Sequence, residues 1–140
     1  MMYQNHNSIY HDLSVLVIDD DVVVVQIVEQ ILRTMGFKDV RTTCFPKKGL
    51  IMIGDSFAEN KPVDLVICDW MMPELSGIEL LKKIRSKGLK LAFIMLTANT
   101  TVDAIKDASK LGIDAYLGKP FTADQVQQKV RTVANRILKK

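Results

Sequence analysis

Asp64-Leu65-Val66-Ile67-Cys68-Asp69-Trp70-Met71-Met72-Pro73 is a short apolar run that ends in an acid and then a turn-forming proline. Leu65 to Cys68 is partly β-branched and has turn signals on either side, which predicts a strand buried on both faces. Strands of that kind belong to parallel sheets covered by helices on both sides. Asp69 then stands where the strand leaves the sheet. In open parallel α/β sheets, ligands bind in the crevice beyond the carboxyl ends of the strands. A carboxylate delivered there is a site candidate, although an acid that merely opens a loop has the same local sequence.

Working outward, the same pattern recurs. Leu13 to Ile18 reads as a first strand and ends in Asp19-Asp20-Asp21. Leu91 to Leu96 is another, closing in Thr97-Ala98, and Ile113 to Leu117 a third, followed by Gly118-Lys119-Pro120. Asp39 to Cys44 is a more polar strand, suited to an edge. Helices are predicted between them. Val22 to Met35 is the hardest to assign, because Val22-Val23-Val24-Val25 favours strand. Three signals favour helix. Asp21 is a good N-cap, the set Val24, Ile27, Val28, Ile31, Leu32 and Met35 recurs at helical spacing, and Gly36 supplies a stop. Further helices are expected from Pro46 to about Ser56, from Ser76-Gly77 to about Ser86, from Thr101 to Leu111 and from Ala123 to Leu138. Val126, Val130, Val133 and Ile137 share one face of the last. Strand and helix thus alternate five times, and each unit implies a right-handed parallel crossover. The expected fold is a flavodoxin-like, doubly wound (βα)5 sandwich. Its five-stranded parallel sheet has the order 2-1-3-4-5.

The totals agree with one soluble domain. The chain has 140 residues, 48% of them hydrophobic and 25% charged, enough for a core without staples. Its formal net charge of +3 is mild and its basic residues are spread out, so direct nucleic-acid binding is not expected. Only Arg136-Ile137-Leu138-Lys139-Lys140 is locally basic. Cys44 and Cys68 read as reduced, buried thiols far apart in sequence. Residues 1–12 read as a flexible N-terminal tail holding His6 and His11, with no signal peptide, and no apolar run is long enough to span a bilayer. The expected location is the cytoplasm.

Parallel strands place all their carboxyl ends on one edge, so Asp19, Asp20, Asp69, Thr97 and Lys119 should converge. Three clustered carboxylates repel, and some would be forced to take protons unless a cation neutralised them. Oxygen-only ligands suit Mg²⁺, which takes few protein ligands and keeps its waters. A lysine and a hydroxyl opposite the metal suit a group rich in anionic oxygens. A phosphoryl group fits, with the metal, Lys119 and Thr97 each on one oxygen. A carboxylate is then left to attack phosphorus in line, giving an aspartyl phosphate.

With those residues in place, the chain resembles a response-regulator receiver domain of the CheY-like kind, the phosphoryl-accepting module of two-component signalling and chemotaxis. The resemblance rests on Asp19-Asp20, on Asp69-Trp70-Met71-Met72-Pro73 with Ser76-Gly77 following, on Thr97-Ala98, and on Tyr116 three residues before Lys119-Pro120-Phe121. It covers roughly Leu13 to Leu138, which defines a receiver domain over residues 13–140. It implies Asp69 as phosphoacceptor. It implies Mg²⁺ held by Asp20, Asp69 and the backbone carbonyl of Met71, with Asp19 acting through water. Lys119 would pair with the phosphoryl group, Thr97 and Tyr116 would form a switch, and a cis bond would precede Pro120. A histidine kinase or phosphotransfer protein would be the donor. Such a domain is no conventional enzyme, since it catalyses only its own phosphorylation and dephosphorylation. The output would leave through a face made by the fourth helix, fifth strand and fifth helix. Lys106, Lys110, Tyr116 and Gln127 are expected to be exposed there. The last helix runs almost to Lys140, so the target is expected to be a separate protein and the chain a monomer.

Met71 departs from the fastest-cycling members: it offers no hydrogen bond to an attacking water and stands where it can screen one. Asn99, two residues after Thr97, is the companion position and is still able to orient water. A phosphoryl lifetime longer than in the fastest members is expected. Two other classes share parts of this pattern. Asp19-Asp20-Asp21-Val22-Val23 also fits the Asp-x-Asp-x-Val start of haloacid-dehalogenase-type phosphatases. That chemistry needs a further acidic pair after the lysine, where only Asp124 remains. A pseudo-receiver that is never phosphorylated would have no need of the complete acidic set. Nucleotide binding lacks a Gly-x-Gly-x-x-Gly or Walker-type loop.

Overall fold

Five parallel strands form one sheet in a computed structural model that describes residues 8–98 and 101–139. They are β1 (Ser14–Ile18), β2 (Asp39–Thr43), β3 (Leu65–Asp69), β4 (Ala92–Thr97) and β5 (Ala115–Gly118), in the order β2-β1-β3-β4-β5. The helices between and after them are α1 (Val22–Thr34), α2 (Pro46–Ala58), α3 (Gly77–Ser86), α4 (Val102–Lys110) and α5 (Ala123–Leu138). Class, order and parallel pairing agree with the sequence reading.

The apolar runs are continuous because both sheet faces are covered. Successive strand side chains point to opposite faces. Val15, Val17, Leu65, Ile67, Ile94 and Leu96 pack with Val25, Val28 and Leu32 of α1 and with Val126, Val130 and Val133 of α5. Their neighbours Leu16, Ile18, Val66, Cys68, Phe93 and Met95 join a second cluster with Ile53 of α2 and with Leu80, Leu81 and Ile84 of α3. A one-residue slip of β3 would exchange the two sets, so this alternation fixes the register that carries Asp69 to the carboxyl edge.

Helix α1 forms against the strand preference of its valines. Asp21 caps it, accepting the Val23 N–H at 2.9 Å, and Val25, Val28, Ile31 and Leu32 are buried. The inward stripe is rotated from the one expected. Val25 is buried, whereas Ile27 is 47% exposed. Three of the other helices also begin with a side-chain cap, from Ser76, Thr101 and Thr122.

The flexible tail expected through Asp12 does not extend over Tyr10. That side chain is buried, its ring stacks on Phe37 with centroids 4.9 Å apart, and its hydroxyl donates to Asn135 Oδ1 at 3.2 Å. One aromatic anchor in a polar segment is enough to hold it. His6 lies outside the described residues. Cys44 lies just beyond β2 and is only half-buried, while Cys68 is buried, and both are free thiols. Among the described residues no helix is long and apolar enough to cross a membrane.

Candidate functional site

The carboxyl edge of the sheet gathers the candidates one strand at a time. β1 ends at Ile18, so Asp19 is the first residue beyond it, and its N–H donates to the Thr43 carbonyl at 3.3 Å. Asp69 is the last residue of β3 and pairs in register with Leu96. The ladder continues past both neighbours. The Trp70 N–H donates to Leu96 O and the Lys119 N–H to Thr97 O, each at 2.8 Å. These bonds fix the backbone on either side of the site.

At the centre is the Lys119 ammonium. It donates to Asp19 Oδ2 at 2.8 Å and lies 3.2 Å from Asp69 Oδ1. Asp19 has no exposed surface, and its Oδ1 accepts the Asp21 N–H at 2.9 Å, so both its oxygens are engaged. Asp20 is exposed at the mouth. One carboxylate oxygen from each of Asp19, Asp20 and Asp69 lies within 4.8 Å of the others. That is an all-oxygen donor set fit for a hard divalent cation.

The charges are not balanced. Burial, then the Asp19 carboxylate, push Asp69 up to about 6, against the partial relief of Lys119, and Asp20 adds to the rise. Burial pulls Lys119 down. The bond to Asp19 and the charges of Asp19 and Asp69 more than reverse this, so its pKa ends above the usual lysine range. The Cys68 thiol, one residue before Asp69, is pushed well up by burial and then by the Asp69 and Asp19 carboxylates. It stays protonated and donates to the Asp69 carbonyl at 3.3 Å.

Thr97 is buried at the end of β4, one residue beyond the Leu96 that pairs with Asp69. Tyr116 stands apart from the acids. It is half-buried on β5, in register with Met95. Met71 is 72% exposed, and Met72 is core. The Lys119–Pro120 bond is cis, as expected. Asn99 lies outside the described residues. On the face formed by α4, β5 and α5, Lys106 and Lys110 are exposed. Gln127 is half-buried instead, and Gln125, Gln128 and Lys129 line the hollow beside Tyr116.

Asp21 is spent on capping α1, which removes the second acid of the phosphatase pattern from the site. One residue that holds the site, Gly77, was read as a helix start and as part of the family resemblance, with no role at the site. A Cβ on Gly77 would overlap the Asp69 carbonyl oxygen and approach Met95 Sδ to 2.9 Å. No local pattern in the sequence signals this approach.

The family profile of the response regulator receiver domain matches residues 15–131. The chain belongs to that family. The receiver domain is 32% identical over 128 residues to the chemotaxis protein CheY-3 of Vibrio cholerae, covering 90% of this chain and 95% of that one. A receiver domain from Clostridium thermocellum has the same fold at a TM-score of 0.76 and 31% identity, covering 89% and 95% of the two chains. The CheY of a CheX-CheY-BeF3-Mg²⁺ complex from Borrelia burgdorferi superposes at a TM-score of 0.80 with 27% identity, covering 87% and 89%. Receiver domains bind Mg²⁺ at an acidic cluster and act in two-component signalling. In this receiver domain the corresponding cluster is Asp19, Asp20 and Asp69.

Proposed function

We propose that Asp69 accepts a phosphoryl group from a phosphohistidine donor in a Mg²⁺-dependent reaction. The modified domain then acts on a partner protein through its α4-β5-α5 face. One observation carries the reading: a single ammonium lies between Asp19 and Asp69, with Asp20 completing an all-oxygen cluster.

Asp20, Asp69 and the Met71 backbone carbonyl would hold the ion, with Asp19 reaching it through water. Bound there, Mg²⁺ supplies the charge that lets an anionic phosphoryl group approach a carboxylate. An Asp69 oxygen attacks phosphorus in line. The N–P bond of the donor breaks, and its electron pair returns to the imidazole nitrogen. Lys119, already poised at Asp69 Oδ1, moves to a phosphoryl oxygen, and the Thr97 hydroxyl donates to another. Asp19 keeps the lysine aimed. The product carries about two further negative charges in a buried site. Thr97 turning toward it opens space beneath α4, into which Tyr116 moves. This is a population shift between two packings. The phosphoryl donor is a histidine kinase or phosphotransfer protein.

The test is labelling by radioactive acetyl phosphate with and without Mg²⁺, followed by mapping. Label on Asp69, lost in Asp69→Asn and in the absence of a divalent cation, supports the reading. Label on Asp19 would favour a hydrolase-like reaction, and no label at all a pseudo-receiver.

A further inference from the structure

We propose that Lys129 is a latch on Tyr116, holding its ring outward in the unmodified protein. This rests on the switch role given to Tyr116 above. The Lys129 ammonium sits over the Tyr116 ring, 5.3 Å from its centroid. That is within the range where an ammonium is attracted to the negative face of an aromatic ring. Among the described residues, no carboxylate lies within ion-pair distance of Lys129. Its charge is thus not drawn away by an acid.

The placement makes the contact state-dependent. Tyr116 and Lys129 together line two hollows between β5 and α5. One runs on to Lys119 and Pro120, the other to Ser109 and Arg136. Tyr116 is half-buried at the margin of the second core cluster, and Lys129 is exposed. Lys129 projects from α5, which is anchored to the core by Val126, Val130 and Val133. The ammonium therefore approaches from a fixed helix, while the tyrosine is on a four-residue edge strand. If Tyr116 turns inward beneath α4, it leaves the ammonium and the contact is lost. An interaction made in only one state biases the equilibrium toward that state. Lys129 thereby opposes activation, and its strength sets how much of the inward form exists before phosphorylation.

Lys129→Met keeps an unbranched apolar stem and removes the charge, and Lys129→Arg keeps a cation. Beryllofluoride with Mg²⁺ serves as the probe, followed by the fluorine NMR signal of fluorotyrosine at position 116 and by the half-saturating beryllofluoride concentration. In Lys129→Met the probe-free signal should already be displaced toward the bound position. Half-saturation should fall about two- to fivefold, the size of an exposed cation–π contact. Lys129→Arg should restore both. Lys129→Met should have no effect in a Tyr116→Ala background, where binding is followed by the fluorescence of Trp70. The latch is overturned if the Tyr116 signal responds to beryllofluoride in wild type but Lys129→Met changes neither position nor half-saturation. It is also overturned if the effect persists in Tyr116→Ala. A Tyr116 signal that ignores beryllofluoride in every variant overturns the switch role itself, and the latch with it.

Discussion

Asp69 holds a carboxylate in a place that resists its charge. Its folded pKa of about 6 lies above the value of an unfolded aspartate. The folded state therefore binds that proton more tightly, and stability falls as pH rises from about 4 to about 6. The cost is absent below that window and complete above it. Asp69→Asn removes the charge. By urea denaturation the variant should be more stable than wild type at pH 8, by on the order of 1–3 kcal/mol. The gain should vanish near pH 4, and Mg²⁺ should narrow the gap at pH 8 by stabilising only the wild type. A gap independent of pH would show that the acids are not in conflict. Met71 is the other residue proposed to set the chemistry here. Its exposed thioether has no donor to orient a water at the acyl phosphate. Loss of label from phosphorylated Met71→Asn should be severalfold faster than from wild type; an unchanged decay would clear Met71 of any role. Asp19, Asp69 and Thr97 were legible in the sequence because each immediately follows an apolar run, and Asp20 and Lys119 because they stand one residue further on. Gly77 and Lys129 were not, because their roles depend on distances between elements that no local pattern encodes.

At the scale of elements, the approach of α3 to β3 is set by a missing side chain. The Gly77 N–H donates to the Trp70 carbonyl at 2.8 Å, and a methyl group there would meet the backbone of Asp69 itself. Backbone cannot step aside as a side-chain tip can. Gly77→Ala should cost about 1–3 kcal/mol, as overpacking does, and should lower the melting temperature. A variant as stable as wild type would mean that α3 slides freely. Helix α4 is the opposite case. Its buried residues are only Ala104 and Ala108, whereas α1, α3 and α5 bury valines, leucines and isoleucines. Few buried apolar groups mean a low local opening energy. The amides of α4 should exchange with deuterium faster than those of the other three, and beryllofluoride with Mg²⁺ should slow them. Equal protection in all four helices would argue against α4 as the moving part. Sequence predicted the α1 helix because a cap, a period and a glycine stop together outweighed four valines. It misjudged the stripe by choosing Ile27 over Val25, since at 3.6 residues per turn a periodic set leaves the rotation toward the core open. The tail was misjudged because Tyr10 finds its partners, Phe37 and Asn135, far along the chain.

At the scale of the whole molecule, the proposed reaction requires a phosphoryl donor to approach the carboxyl edge of the sheet. It would have to bring phosphorus within bonding distance of a largely buried Asp69. What it meets there is apolar. Val22 is 54% exposed, Val23 56% and Ile27 47%, on a helix that begins three residues after Asp19. Val23 and Ile27 share a hollow with Phe121, which follows the Lys119-Pro120 turn. Packing this stripe against α5 would have explained it, but α1 already buries Val25, Val28, Ile31 and Leu32 for that purpose. A small molecule such as acetyl phosphate needs no contact with the stripe, whereas a protein donor docked on this side would cover it. Ile27→Glu places a charge in that contact without entering the core. Transfer from a phosphorylated histidine phosphotransfer domain should then slow about tenfold or more, the effect of losing a central interface residue. Labelling by acetyl phosphate should stay within about twofold of wild type. Equal loss with both donors would mean that the substitution had disturbed the site itself, and no loss with either that the protein donor docks elsewhere.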